Sequence, residues 1–526
     1  MRHRVDVAVV GSGFAGSLTA LALTRRGHSV ALLERGRHPR FAIGESSTPL
    51  AALLVEELAE RYDLPRLRPF AKWGTWRAAH PEIGCGLKRG FSFFRHTWDA
   101  PFCDDPDRAG QLLVAASPHD AIGDTHWYRP DFDAFWVREC GDAGVLYLDE
   151  TALARPRRHG ERLMLIGVRH GQPLTIDAGF VVDASGPRGF LAHTWPIAEE
   201  VPRFLPPTQA LFAHFEGVER FDACAPLEAG PPFPVDDAAL HHVFDGGWIW
   251  VLRFASGRVS AGAALTDALA SRLGAARGET AWRELLAHLP SIAAQFRDAR
   301  AVTPFVHQPR LAYRASQVVG PGVALLPSAV GIVDPLLSTG FPLTLLGIGR
   351  LVDALSASAD PARRDAALAR YAEQTRAELD VTERLVAALY ASFCDFPLFK
   401  RLALLYFAAA SFAETMRRLG RAERAPGFLL CGDARFRVAL VGLTERALAR
   451  PTGAARDALL DDVERAIVPY DVAGLGDRSR RDWFPVEVQD LRDAAPRLGI
   501  APHEIDALVA RCGLTTPRPA APGGAA

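Results

Sequence analysis

Of the 60 lysine and arginine residues in this chain only three are lysine, namely Lys72, Lys88 and Lys400. Where arginine serves almost everywhere as the cation, a retained lysine stands out. An ammonium can lose its proton when desolvated and act as nucleophile or general acid, whereas a guanidinium stays protonated. Lys88 lies in CGLKRGFSFF, and Gly86, Gly90, Phe91, Phe93 and Phe94 around it make a close-packed apolar setting that lowers an amine pKa or sharpens its hydrogen bond. The plainer reading is a surface strand with a snorkelling lysine. The second chemically loaded stretch is GSGFAG. Gly11 permits a tight turn, Gly13 lets backbone approach a pyrophosphate, and Gly16, with Ala20 four residues on, lets a helix pack close to a sheet. Glu34 follows at a distance suited to accepting both ribose hydroxyls of an adenosine. The cofactor-binding candidates here are Gly11, Gly13, Ala15, Gly16 and Glu34. The 16 histidines are scattered, and His241 and His242 point to opposite faces of a strand, so no metal site is expected. Neither a GxSxG elbow nor a P-loop occurs.

The elements that would hold these residues can be read around them. VDVAVV, then GSGFAG, then a helix from about Ser17 to Arg26, then SVALLE form a βαβ unit. This leaves FAD and NAD both open, but a motif so near the N-terminus, followed by the long polar stretch RGRHPRFAIGESSTP, suits FAD in a two-domain flavoenzyme. FVVDASGPRG (180–189) and VALLPSAVGIVDPLLSTG (323–340) are further strand-to-glycine turns, which suggests one large interleaved FAD domain. From about 345 to 390 the apolar spacing becomes helical, with a break at SADPARRD, and helical segments continue toward the C-terminus.

Composition sets the outer bounds. The chain has 526 residues, 49% hydrophobic and 23% charged, which predicts a globular protein of two or three subdomains. The net charge of -1 gives no general pull toward nucleic acid or anionic membrane. Seven cysteines with no CxxC pair suit free thiols in a reducing compartment. The apolar run at the N-terminus is interrupted by GSGFAG, and LALLYFAAASFA (402–413) is too short to span a bilayer, so a cytoplasmic protein without a transmembrane segment is expected.

Five separated segments together resemble the flavin-dependent halogenases, in the branch acting on phenolic substrates: GSGFAG, HPRFAIGESSTP (38–49), CGLKRGFSFFRH (85–96), HHVFDGGWIWV (241–251) and LLPSAVGIVDPLLSTG (325–340). They fall in the family's order and cover most of residues 1–350. The resemblance implies an α/β fold with an FAD-binding Rossmann-like domain of the p-hydroxybenzoate hydroxylase type, an inserted substrate-binding β-sheet and a helical C-terminal region. Expected divisions are 1–350, 351–512 and a disordered tail at 513–526. The resemblance also implies that reduced FAD, oxygen and chloride or bromide yield hypohalous acid, which travels to Lys88 beside an aromatic substrate. There Lys88 either forms a haloamine or holds hypohalous acid as a donor. Glu45, Ser46, Ser328, Asp334 and Gly340 join the cofactor-binding set, Ser338, Thr339 and Gly340 match the halide turn, and Trp248 and Trp250 match the residues that keep substrate from the flavin. The implied partners are a flavin reductase supplying reduced FAD and an aromatic small molecule or carrier-bound aryl group; a homodimer stays open.

Beside a branch difference at Leu337, two places depart from the family pattern, Leu252-Arg253 and Pro327-Ser328. Leu337 stands where tryptophan-type members carry a glutamate, which fits the phenol branch. Leu252 and Arg253 replace an Ile-Pro turn, so that an Arg253 facing the flavin would alter halide handling. Pro327 and Ser328 replace Gly-Asp, which implies looser retention of FAD. Two other functions remain beside halogenation: an FAD-dependent aromatic hydroxylase using the same cofactor without halide, and a non-catalytic FAD-binding partner protein.

Overall fold

The computed structural model describes residues 1–228, 230–358 and 360–515. The VDVAVV run becomes the central strand Arg2–Val10 of a sheet whose parallel order is Val323–Leu325, Gln172–Asp183, Arg2–Val10, Val30–Leu33, Leu146–Leu148. Residues Val7 to Val10 are all buried, as expected of a parallel strand covered on both faces. The helix that follows GSGFAG runs Phe14–Arg25, three residues earlier than its predicted start. It can lie this close because position 16 is glycine: a Cβ there would sit 1.8 Å from the carbonyl oxygen of Gly11.

The second sheet runs Thr208–Glu216, Val259–Thr266, Gly247–Arg253, Ala239–Phe244, Gly90–Arg95, Gln111–Ala115, Trp483–Phe484. Its strands alternate between two cores. Phe91, Phe93, Trp248 and Trp250 face the main core shared with the nucleotide-type sheet, while Phe94, Ile249 and Val251 face a separate core closed by short helices. Just before this sheet, Cys85–Lys88 pairs antiparallel with Asp124–Trp127 in a two-stranded ladder of its own. The ladder crosses the second sheet closely, since a Cβ on Gly86 would lie 1.9 Å from the carbonyl oxygen of Arg253.

The periodic stretch after 340 forms Gly340–Ser356 and Pro361–Ala391, separated at the expected break. The second of these starts at Asp360, whose carboxylate accepts from Ala362 N–H with proline at the first helical position. Phe396–Arg418 is a 23-residue helix containing the apolar run 402–413. Its length and composition are those of a bilayer-crossing helix, but 78% of its most apolar window is buried against the rest of the chain. The C-terminal region is not wholly helical, because Trp483–Phe484 adds a parallel strand beside Gln111–Ala115. Lys400, one of the three lysines, anchors that strand by an ion pair to Asp482 at 2.5 Å. Gly513 caps the last helix with φ 66° and Leu514 packs on the main core, so the first residues of the expected tail belong to the folded chain. Residues 516–526 of that tail lie outside the described residues.

Candidate functional site

Between the two sheets lies a cavity of about 930 Å³, near the upper end of ligand pockets and large enough for a dinucleotide. Thirteen of the sequence candidates line it: Gly11, Gly13, Ala15 and Glu34 at one end, Glu45 and Ser46 along one wall, Trp248 and Trp250 along the second sheet, and Ser328, Asp334, Ser338, Thr339 and Gly340 at the far end. Gly16 does not line it and acts through packing. Glu34 is buried and receives Ser12 N–H at 3.1 Å, Ser12 Oγ at 2.9 Å and Gly36 N–H at 2.9 Å. Burial works to raise its carboxyl, but Arg40 and these donors outweigh burial and hold it below the ordinary carboxylate range. The donors, the size and the glycine turn fit an adenine dinucleotide.

Two residues at this end were not found from sequence. Arg129 lines the cavity and makes a two-pronged contact with buried Asp133, at 2.9 Å and 2.8 Å, while Asp133 accepts Phe14 N–H at 3.1 Å, at the N-terminus of the glycine-turn helix. The pair is spaced i,i+4 in RPDFD, a spacing that places both on one helix face and was the available signal. Arg129 also donates to the carbonyls of Ile43 and Gly44, which fixes the loop leading to Glu45.

Lys88 lies behind that loop, fully buried. Its Nζ donates to Ser46 Oγ at 2.9 Å and to Ser47 O, and sits 3.8 Å over the ring of Phe91. Burial pulls its pKa well down, with Asp124 opposing. Asp124 stands opposite Lys88 in the ladder, and burial pushes its carboxyl up, with Lys88 opposing. Sequence reading missed Asp124, since only strand pairing brings DTHW beside CGLK. Ser46 also bonds Ser338 Oγ at 3.1 Å, so a short chain of hydroxyls joins Lys88 to the turn at Ser338.

On the other side of Lys88 is a second cavity of about 190 Å³, walled by Phe91, Tyr406 and Phe407, with Asp124 and Thr48 among its polar groups and Lys72 also on its lining. The C-terminal helices close it. Tyr406 donates to the carbonyl of Leu337 at 2.9 Å, tying helix Phe396–Arg418 to the turn before Ser338.

Within that turn Ser338 has φ 53°, a left-handed conformation uncommon outside glycine and asparagine. Of the three residues matching the halide turn, Ser338 does not offer a free backbone donor, because its N–H donates to Pro335 O at 2.9 Å. Thr339, Gly340 and Phe341 N–H, at the start of helix Gly340–Ser356, make no such bond among the described residues. Asp334 lines the cavity, but its carboxylate is engaged by Leu336 N–H at 2.9 Å and Tyr390 OH at 2.8 Å. Trp248 Nε1 in turn donates to Tyr390 Oη at 3.2 Å. Glu45 likewise pairs with buried His214 at 2.8 Å. His241 stacks on Trp248 with ring centroids 5.2 Å apart, and burial lowers its pKa to about 3, leaving a neutral ring. Arg253 turns away from the cavity, because alternation sends 248, 250 and 252 inward and 253 to the other face, where it bonds Asp236 at 3.0 Å and Val218 O at 3.0 Å.

Residues 129–399 match the tryptophan halogenase family, and residues 9–49 match the NAD(P)-binding Rossmann-like domain. Monodechloroaminopyrrolnitrin halogenase PrnC of Pseudomonas fluorescens is 30% identical over 407 residues, covering 75% of this chain and 69% of that protein. Tetracycline 7-halogenase of Kitasatospora aureofaciens is 29% identical over 423 residues, covering 77% and 73%. Among solved structures, the halogenase PltM in complex with phloroglucinol and FAD superposes with a TM-score of 0.80 at 24% identity, covering 91% of this chain and 99% of that one. Through the family match over half its length and its likeness to PrnC, the chain belongs to the tryptophan halogenase family.

Proposed function

We propose that this enzyme halogenates an electron-rich, phenolic aromatic, using reduced FAD, oxygen and chloride or bromide. The observation that carries this reading is the position of Lys88, a buried amine with its hydrogen-bond partner Ser46 on the wall of the large cavity and its π partner Phe91 on the wall of the small one. FAD bound in the large cavity would supply the two electrons that, with oxygen, turn halide into hypohalous acid. Gly11, Gly13, Ala15, Glu34 and Arg129 hold the adenosine and pyrophosphate portion, and Ser328 and Gly340 lie toward the other end. Thr339 and Gly340 N–H offer partial positive charge to halide without an acidic proton. Trp248 and Trp250 fill the inner wall and exclude the organic ring from the flavin end. Lys88 then directs the electrophilic halogen, as a haloamine or as donor to hypohalous acid, onto a ring in the small cavity. The solved relative of the same fold that holds phloroglucinol, itself a phenol, supports a phenolic substrate.

The reduced flavin comes from a separate reductase, which suits a cofactor wall where Ser328 supplies a hydroxyl and no charge. Seven unpaired cysteines suit a reducing cytoplasm. The test combines purified protein, a flavin reductase, NADH, FAD, oxygen and a panel of phenols and carrier-bound aryl thioesters, with halide present or omitted. The expected result is a product with the halogen isotope doublet that requires halide and disappears in Lys88→Ala. Oxygen insertion indifferent to halide overturns the reading in favour of hydroxylation.

A further inference from the structure

The small cavity holds one carboxylate that nothing in the fold uses. Asp124 is 5% exposed, its carboxylate makes no hydrogen bond among the described residues, and its Oδ2 is fully enclosed. It faces Lys88 across the antiparallel ladder, so both side chains project from the same face. Lys88 directs two of its donors to Ser46 and Ser47, and among the described residues no ion pair joins it to Asp124. The other charged groups near Asp124 are Lys72, Glu414 and Arg418, and Arg418 is already paired to Glu414 at 2.7 Å and Glu56 at 3.1 Å. A buried acceptor left without a donor is unfavourable, so a ligand carrying a donor is the natural occupant. The volume of about 190 Å³ suits a small aromatic, given that an apolar cavity of roughly 150 Å³ accommodates benzene.

We propose that Asp124 is a catalytic residue that accepts the ring hydroxyl of a small phenol and takes its proton as the halogen is delivered. This rests on the halogenase reading and names its substrate class. The step starts with the one proton shared by the facing pair on Lys88 and Asp124 ionised; as the O–H bond breaks, its proton goes to the Asp124 carboxylate and its electron pair enters the ring. The ring carbon ortho or para to that oxygen forms its bond to the halogen of hypohalous acid. The halogen–oxygen bond breaks toward oxygen, and the hydroxide released takes a proton from the Lys88 ammonium to become water. The ring C–H proton then passes to the Lys88 amine, and Asp124 returns its proton to the phenolate. Overall, phenol and hypohalous acid give halophenol and water, with both side chains restored. Asp124 thus supplies a carboxylate beside the lysine from a strand, in a chain that carries Leu337 before the Ser338 turn.

The test uses the holoenzyme with a flavin reductase and bromide, and compares resorcinol with its dimethyl ether. Binding is read by calorimetry without turnover, bromination by mass spectrometry, and hypobromous acid by a diketone trap. Wild type is expected to bind and brominate resorcinol at least about tenfold better than the ether. Asp124→Asn is expected to lose about 100-fold or more in bromination near pH 7 while trapping as much hypobromous acid as wild type. Its rate should recover as pH rises and the phenol ionises unaided, a response that a purely structural role does not give. Equal bromination by Asp124→Asn, or a loss that is flat with pH, overturns the proposal while leaving the halogenase reading intact. If Asp124→Asn fails to fold, the wild-type comparison decides: equal binding and bromination of the ether overturn it. Wild type that forms hypobromous acid yet brominates neither ring overturns the assignment of the small cavity and this proposal together.

Discussion

The large cavity over the glycine turn is built mostly from loops and helix ends, and the small cavity beyond Lys88 mostly from side chains that chain-distant elements bring together. The first takes its shape from runs that are contiguous in sequence: 11–16, 34–46, 184–190 and 327–344 supply most of its wall. The second draws Thr48, Phe91, Asp124, Tyr406, Phe484 and Leu508 from six different elements. A cofactor common to many proteins can be recognised through backbone N–H groups and close approach, which short motifs encode. A substrate particular to one enzyme is recognised by side chains, and those meet only when the chain has folded. The two cavities should therefore fail separately under mutation.

The largest separation is expected at Lys88, which stands between them. Lys88→Ala and Lys88→Arg should both reduce halogenated product by about 1,000-fold or more, because arginine keeps the charge but not the titratable amine. FAD affinity, measured by flavin fluorescence quenching, and trapped hypohalous acid should stay at wild-type levels. Loss of FAD binding in Lys88→Arg would show that the two cavities are one mechanical unit.

Next comes Gly16, which acts on the large cavity alone. A Cβ 1.8 Å from Gly11 O forces helix Phe14–Arg25 off the sheet or the Gly11 turn out of place. Gly16→Ala should therefore weaken FAD binding by about tenfold or more, in line with the cost of overpacking a tight contact. Binding of resorcinol at the small cavity, read by calorimetry, should be unchanged.

Ser46 tests the bridge. It accepts from Lys88 Nζ and bonds Ser338 Oγ, so Ser46→Ala removes one of the two hydrogen bonds of a buried amine. A reduction of about tenfold in halogenation is expected, the usual effect of losing one hydrogen bond to a charged group, with the larger share in kcat rather than KM. An unchanged kcat would mean that the hydroxyl chain between the cavities is incidental.

The same contrast explains what could be read in advance. The nucleotide sheet, the cofactor turn and the helical stretch after 340 were legible because each rests on local pattern: alternation, glycine spacing, or a three-four repeat with Asp360 and Pro361 at a helix start. Lys88 was legible for a compositional reason, as one of three lysines among 60 basic residues. Asp124 carried no such mark. DTHW is a four-residue strand, and its partner CGLK lies far enough away in sequence that only the observed register, Lys88 opposite Asp124 and Cys85 opposite Trp127, brings the two charges together. The direction of Arg253 stayed open in the sequence because it depends on the phase of a strand, and one residue of phase decides between cavity and outer core. The Trp483–Phe484 strand was invisible because two residues give no periodicity.

The smallest effect is expected at the seam where the large cavity meets the C-terminal helices. Trp248, Tyr390 and Asp334 form a buried hydrogen-bonded row there, joining the second sheet, helix Pro361–Ala391 and the turn before Ser338. Burial raises the Asp334 carboxyl from 3.8 to about 7, against the donors Tyr390, Leu336 N–H and Trp248, so the fold favours the protonated acid more than the unfolded chain does. A group whose pKa is raised on folding contributes stability that is complete below its unfolded value and is lost as pH climbs through its folded one. Tyr390 stays neutral throughout, its hydroxyl being pushed well above its ordinary range by burial and by Asp334. The melting temperature of wild type should therefore fall between about pH 5 and pH 8 by roughly 2–4 °C more than that of Asp334→Asn, whose amide can still accept from Tyr390 and does not titrate. Since the row borders the cofactor wall and not Lys88, added FAD should flatten the wild-type slope, whereas a phenol bound in the small cavity should leave it as it is.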